Sequence, residues 1–216
     1  MYDSPALSNL LTKIKQRSQN LNLHIDTMVE YTSNAVLVPL VIVDNKICLL
    51  FEVRAKTLKW QPGEICFPGG RIEPEETDFS FAALRECEEE LGIPSEDILL
   101  LGALHPVISP IGAQVYPYLG LIKSLDKLNI NLEEVDSVFT VPIDWLLQSI
   151  PQVGVSETAT RTTDKFPHDL INSSYPTQWN VRNTYRVYFY EYDNHVIWGL
   201  TAHIMRSFLS SFKDLF

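Results

Sequence analysis

Residues 70–93 read GRIEPEETDFSFAALRECEEELGI and place four glutamates within five positions, Glu86 to Glu90. Residues 78–91 have the pattern of a helix, which Gly92 and then Pro94 end. A helix turns by about 100° per residue, so Ser80, Ala83, Leu84, Cys87 and Leu91 share one arc, the core face. Glu86, Glu89 and Glu90 occupy the neighbouring arc and border the core, whereas Glu88 points roughly opposite, toward solvent. Like charges three or four apart on a helix repel. Two carboxylates about 6 Å apart do so by roughly 3 kcal/mol at an effective dielectric of 20. Arg85 is the only basic residue on the helix. A hard divalent cation such as Mg²⁺ supplies the missing charge, because carboxylate oxygens are the ligands it prefers. Metal binding therefore explains the cluster better than a solvated acidic face does.

Upstream, EICFPGGRIEP reads as a short strand breaking into a Pro/Gly loop, with Gly69-Gly70 able to turn tightly and approach a ligand. Before it, NAVLVPLVIVDNKICLLFEVR gives two apolar runs parted by Asp44-Asn45-Lys46, a hairpin signal. Pro39 predicts a bulge or an edge position in the first of these strands. Residues 4–18 have an amphipathic helical pattern. Downstream, ILLLGAL and QVYPYLGLI read as strands, and VDSVFTVPIDWLLQSI as a strand running into a short helix. Residues 151–183 are polar and hold no long periodic run, which suits a lid, a partly ordered insertion or an interface element. TYRVYFYEYDNHVIW predicts a hairpin around Asp193-Asn194, and TAHIMRSFLSSF a helix with Ile204, Phe208 and Phe212 on one stripe. The expected class is a mixed α/β sheet with packed helices.

The chain has 216 residues, enough for one large domain, and a hydrophobic fraction of 45% supports a core. It divides into an N-terminal helical extension (1–30), a core (33–150), the polar insertion (151–183) and a closing hairpin with helix (184–216). A formal charge of −10 argues against nucleic-acid binding, which normally needs a basic stripe. Cys48, Cys66 and Cys87 are widely spaced in apolar settings and read as free thiols of a reducing compartment. The N-terminus has no signal-peptide h-region, and no apolar run approaches the ~20 residues that span a bilayer. A cytoplasmic protein is expected, with no membrane association.

Gly70, Glu76, Arg85, Glu86, Glu89, Glu90, Gly92 and Ile93 together resemble the box of the Nudix hydrolases, G-x5-E-x7-R-E-U-x-E-E-x-G-U with U aliphatic. Cys87 takes the first U position. Eight residues rather than seven separate Glu76 from Arg85, so Glu76 and its neighbours compete as the partner of Arg85. The coenzyme A diphosphatases share the longer box and carry R-x-x-x-L-R-x-H-x-G-Q-V-x-F-P-G-G before it. Residues 54–70, RAKTLKWQPGEICFPGG, are similar to this without gaps, through Arg54, Leu58, Gly63, Phe67, Pro68, Gly69 and Gly70. Lys59 stands for Arg, Glu64 for Gln, Ile65 for Val and Gln61 for His.

The resemblance implies an α/β/α sandwich, a mixed sheet between helices, and hydrolysis of coenzyme A to 3′,5′-ADP and 4′-phosphopantetheine. It implies Mg²⁺ or Mn²⁺ held by Glu86, Glu89 and Glu90, and Arg85 pointing partly away from them to pair with Glu76. Gly69 and Gly70 border the substrate; Arg54, Lys59 and Arg71 are candidate phosphate contacts. Glu89, Glu90 or Glu134 is the candidate general base, whereas His105 and His203 read as packing or surface residues. Other Nudix substrates (ADP-ribose, NADH, a nucleoside triphosphate) are the alternative, a non-catalytic binding module is a third, and a homodimer is open.

Overall fold

The computed structural model describes residues 31–110, 112–171 and 175–215; the helix expected at 4–18 lies outside them. The two apolar runs form β1 (Thr32–Val43) and β2 (Lys46–Arg54), antiparallel with Val43 opposite Lys46. Asp44 and Asn45 turn the hairpin with φ of 48° and 63°, the left-handed pair that a two-residue hairpin demands and that Asp and Asn tolerate.

Pro39 is neither at a bulge nor in an edge strand. β1 is central: it pairs antiparallel with β2 over residues 40–43 and with β4 (Gly69–Arg71) over 34–36, and parallel with β7 (Ala113–Ile122) on its other side. Leu37 donates its N–H to Pro68 O at 2.9 Å, so residue 39 addresses the same side, in the gap between the β4 and β2 ladders. A missing N–H costs nothing there. The glycines expected in a loop are themselves the short strand β4.

β3 (Ile65–Cys66) and β8 (Val135–Pro142) pair with β2, while β5 (Ile98–Ala103) and β6 (Val107–Ile108) pair with β7; together they complete an eight-stranded sheet. The parallel β1–β7 ladder makes it mixed. Strand alternation assigns its two faces. Leu37, Val41, Cys48 and Leu50 pack with Ala83, Cys87 and Leu91 of α1 (Phe79–Leu91). Val38, Leu40, Leu49 and Phe51 pack with Ile143 and Leu146 of α2 (Ile143–Gln148) and with Ile204, Met205 and Phe208 of α3 (Gly199–Phe212). Helices on both faces give the expected α/β/α sandwich. Because side chains alternate with period two, a slip of one residue in β1 or β2 would exchange the faces.

Within residues 151–183 the structure differs from the sequence pattern. Gln152–Thr160 is a strand, β9, and β10 begins at Asn180 rather than 184, running to Tyr192; β11 (His195–Trp198) completes a three-stranded sheet. Val153 and Val155 of β9 are exposed, Val155 at 71%, so no buried stripe marks this strand in the sequence. Its long register with β10, from Gln152↔Phe189 to Thr160↔Asn180, builds it instead. Tyr190 and Ile197 bury the base of this sheet in the core beside α3. The three cysteines are free, Cys48 and Cys87 being buried and Cys66 half-buried. Among the described residues no helix is long and apolar enough to cross a membrane.

Candidate active site

The helix α1 is bounded by its own sequence. Asp78 caps it, accepting from Ser80 N–H at 3.0 Å and from Ser80 Oγ at 2.8 Å. Gly92 ends it at φ 67°, donating to Glu88 O at 2.9 Å, and a Cβ there would strike Asn129 O. Ala83, Cys87 and Leu91 bury the core face, and this orientation turns Glu90 inward with them, 5% exposed. Glu86 is half-buried and Glu89 exposed. Glu88 is not merely solvated: its Oε2 accepts the N–H of Ser95 at 3.1 Å, which anchors the turn after the helix.

Arg85 ties loop to helix. Its Nε donates to Glu76 Oε1 at 3.1 Å, so Glu76 itself is the partner despite the added residue in the box. Glu76 Oε2 accepts from the N–H of Glu73 at 2.7 Å, closing the loop on itself. The Arg85 hydrogen bond, then that N–H, holds the Glu76 carboxyl below the ordinary range. Arg85 Nη2 donates to Arg71 O at 3.2 Å. Contrary to the expectation that Arg85 points away from the acidic patch, its Nη1 lies 2.7 Å from Glu86 and 3.5 Å from Glu89. A guanidinium carries five donors in one plane and so serves three carboxylates and a carbonyl at once.

The glycines set the carboxylates. Gly69 adopts φ +153° and donates its N–H to Glu90 Oε2 at 2.8 Å; a side chain there would run into Ala35 O and Val36 Cα. A Cβ on Gly70 would occupy the place of the Glu86 carboxylate. Burial drives the Glu90 carboxyl up to about 8, with the charges of Glu86 and Glu134 adding and the Gly69 N–H and Arg54 opposing. Burial also raises Glu86, against the pull of Arg85.

Glu134, exposed just before β8, is near enough for its charge to raise Glu86 and Glu90, and its carbonyl accepts from Ala55 N–H at 2.8 Å. Arg54, half-buried, lowers Glu90 from the strand side while its Nη2 donates to Trp60 O at 3.4 Å. Lys59 is exposed over the Trp60 ring, 6.0 Å from its centroid, and the Arg71 side chain is exposed. Neither is hydrogen-bonded to the glutamates. His105 and His203 are on the surface.

One buried carboxylate escapes the helix-centred pattern. Glu52 lies on β2, 1% exposed, with Oε2 3.7 Å from Cys66 Sγ and Oε1 without a partner. A glutamate at a core-facing position of KICLLFEVR was the available signal.

As the side chains stand, no three among the described residues are arranged to hold a metal ion: Glu86 is ion-paired and Glu90 bonded to Gly69. The donor set of Glu86, Glu89 and Glu90 nonetheless fits a hard cation, being carboxylate oxygen throughout.

A model of the NUDIX domain matches residues 32–159, from β1 through β9. The chain belongs to the Nudix family. It is a Nudix hydrolase, an enzyme of phosphoanhydride bonds, and Nudix hydrolases generally need divalent metal ions. It is 34% identical over 165 residues, 75% of this chain and 68% of the other, to the peroxisomal coenzyme A diphosphatase NUDT7 of Mus musculus. It is 35% identical over 171 residues, 79% and 80% of the two chains, to the uncharacterized Nudix hydrolase NudL of Photorhabdus laumondii. The Nudix hydrolase 3 of Caenorhabditis elegans is 32% identical over 82% of this chain and 71% of its own.

Proposed function

We propose that this Nudix hydrolase cleaves the diphosphate of coenzyme A or its acyl derivatives, giving 3′,5′-ADP and 4′-(acyl)phosphopantetheine. The observation that carries the reading is the ungapped run from Arg54 to Gly70 entering a box lengthened by one residue. The likeness to a coenzyme A diphosphatase supports it.

Glu86, Glu89 and Glu90 are the residues that would hold Mg²⁺ or Mn²⁺. When bound, such ions neutralise the diphosphate and lower the pKa of water. The chain's own residues do the rest. Arg85 and Glu76 clamp the loop so that Gly69 and Gly70 present backbone to the substrate. Gly69 N–H holds one Glu90 oxygen in place. Arg54 is the better placed of the phosphate contacts, lying beside the carboxylates; Lys59 and Arg71 are free to meet a more distant phosphate. Glu134, exposed at the rim, would accept a proton from attacking water, as would Glu89. The three unpaired thiols suit a reducing compartment such as the cytoplasm.

A substrate panel tests the reading: coenzyme A, acyl-coenzyme A, ADP-ribose, NADH and a nucleoside triphosphate, with products identified by mass. Coenzyme A or an acyl derivative is expected to give the highest kcat/KM. Preference for ADP-ribose would overturn the assignment, and calorimetric binding without metal-dependent turnover would make the protein a binding module.

A further inference from the structure

Glu52 is the most deeply buried carboxylate among the described residues, at 1% exposed. Strand alternation sets its side: Cys48 and Leu50 of β2 pack against Cys87 and Leu91 of α1, and Glu52 is the next residue on that face. Register sets its height: Glu52 pairs with Cys66, three residues before Gly69, whose N–H holds Glu90. The carboxylates of Glu52 and Glu90 therefore face the same short stretch of chain, one from the strand and one from the helix. The buried thiol of Cys87 feels the charge of both, Glu52 more strongly. Burial first, then the charge of Glu90, push the Glu52 carboxyl well above its ordinary range.

Two facing carboxylates in the interior need either a shared proton or a cation between them. No hydrogen bond among the described residues joins them. Among the described residues Glu90 Oε2 is taken by Gly69, the only side-chain hydrogen bond of Glu52 is the weak one with Cys66 Sγ, and Glu52 Oε1 has no hydrogen-bond partner. Arg54 Nε is also buried without a hydrogen-bond partner, and the charge of Arg54 offsets the burial of Glu52 and the charge of Glu90 only in part. An unpartnered charged oxygen in the interior is costly, and a cation removes that cost.

We infer that Glu52 is a further ligand of the metal centre, a strand-side carboxylate that binds a divalent cation jointly with Glu90 beneath the helix-borne glutamates. This rests on reading the acidic helix as a metal centre. It adds to that reading a ligand from outside the box, and the centre then has a buried floor as well as an exposed rim.

Binding of Mn²⁺ to metal-free protein, without substrate, tests it by calorimetry or by the paramagnetic resonance of free Mn²⁺. Glu52→Gln, equal in size, is expected to weaken Mn²⁺ binding by about ten-fold or more, the scale of lost support to a metal site, or to lower the stoichiometry. Its metal-free Tm should hold or rise, because the amide is neutral without the proton uptake that burial imposes on the carboxyl. Glu52→Asp keeps the charge but withdraws the oxygens; a ligand role requires that it too weakens Mn²⁺ binding, and it serves should the Gln variant fail to fold. Unchanged Mn²⁺ affinity and stoichiometry in these variants, with Glu86→Gln losing the ion, would overturn the inference while leaving the metal centre standing. Unchanged binding in Glu86→Gln as well would overturn both. Lack of coenzyme A turnover by the wild type would count against the substrate alone, since Mn²⁺ binding is read without it.

Discussion

Alanine at Gly70 separates the scaffold from the site. Gly70 is not among the glycines at positive φ, so alanine fits the backbone. What its Cβ would meet is the carboxylate of Glu86, the far end of a flexible side chain. Glu86 must swing away and give up its 2.7 Å contact with Arg85 Nη1, while Arg85 keeps Glu76. A hydrogen bond to a charged group contributes about 1.5–3 kcal/mol. With the two side chains 33% and 16% exposed, screening reduces this to about 1 kcal/mol. The lost chain entropy of glycine in the unfolded state returns about 0.4–1 kcal/mol. The net change in stability is thus within about 1 kcal/mol, or at most about 4 °C in Tm for a chain of this size. Activity should fall much further. Losing support around a metal site costs about 10–100-fold, so moving a ligand itself should cost at least about 100-fold in kcat/KM. Gly69→Ala is the contrast. At φ +153° its Cβ meets the backbone of Ala35 and Val36, which cannot yield. Strain of about 1–3 kcal/mol and overpacking of a similar size should lower Tm by roughly 4 °C or more. Thermal melts and a metal-dependent coenzyme A assay read both variants. Wild-type turnover by Gly70→Ala, or a melt as low as that of Gly69→Ala, would refute the reasoning.

Other outcomes follow from the same geometry. Glu89→Gln should lose nearly all activity with an unchanged melt, because Glu89 is exposed and among the described residues bonds only Arg85, at 3.5 Å; full turnover would refute its role as a ligand. Chelation should abolish hydrolysis and Mg²⁺ or Mn²⁺ restore it, as followed by product release; activity that survives exhaustive chelation would exclude the metal centre. In metal-free protein the Glu90 carboxyl, raised from 4.5 to about 8, holds a proton that the unfolded chain has released. Its stabilising contribution is therefore complete below the unfolded value and is lost as pH rises through the folded one. Metal-free Tm should fall between about pH 5 and 8, at up to roughly 1.4 kcal/mol per pH unit for each proton held. Glu90→Gln should flatten the profile, and a wild-type Tm that rises over this range would refute the assignment.

Much of the helix-borne site was legible because its signals are local. The spacing of Ala83, Cys87 and Leu91 fixes which way α1 faces, and hence that Glu90 borders the core. Asp78 and Gly92 mark the helix ends by backbone chemistry that each residue carries with it. The Asp44-Asn45 turn and the strand α1 packs upon were readable for the same reason. Pro39 misled because its effect depends on which ladder lies beside it, and β1 changes partners there, from β4 to β2. β9 left no trace because one of its faces is exposed and the other only half-buried, and its register with β10 holds it.

By itself the sequence determined the layers of this fold and the acidic stripe on α1, since amphipathic periodicity and capping act within a few residues. Tertiary structure alone decided that Glu76 rather than a neighbour takes Arg85, that Arg85 turns onto Glu86, and that Glu52 is buried where the charge of Glu90 acts on it. Apart from Arg85 and Glu86, which are neighbours, these pairs are separated in the chain. Which of them form depends on strand register and on the burial that register imposes, and neither is encoded in any one segment.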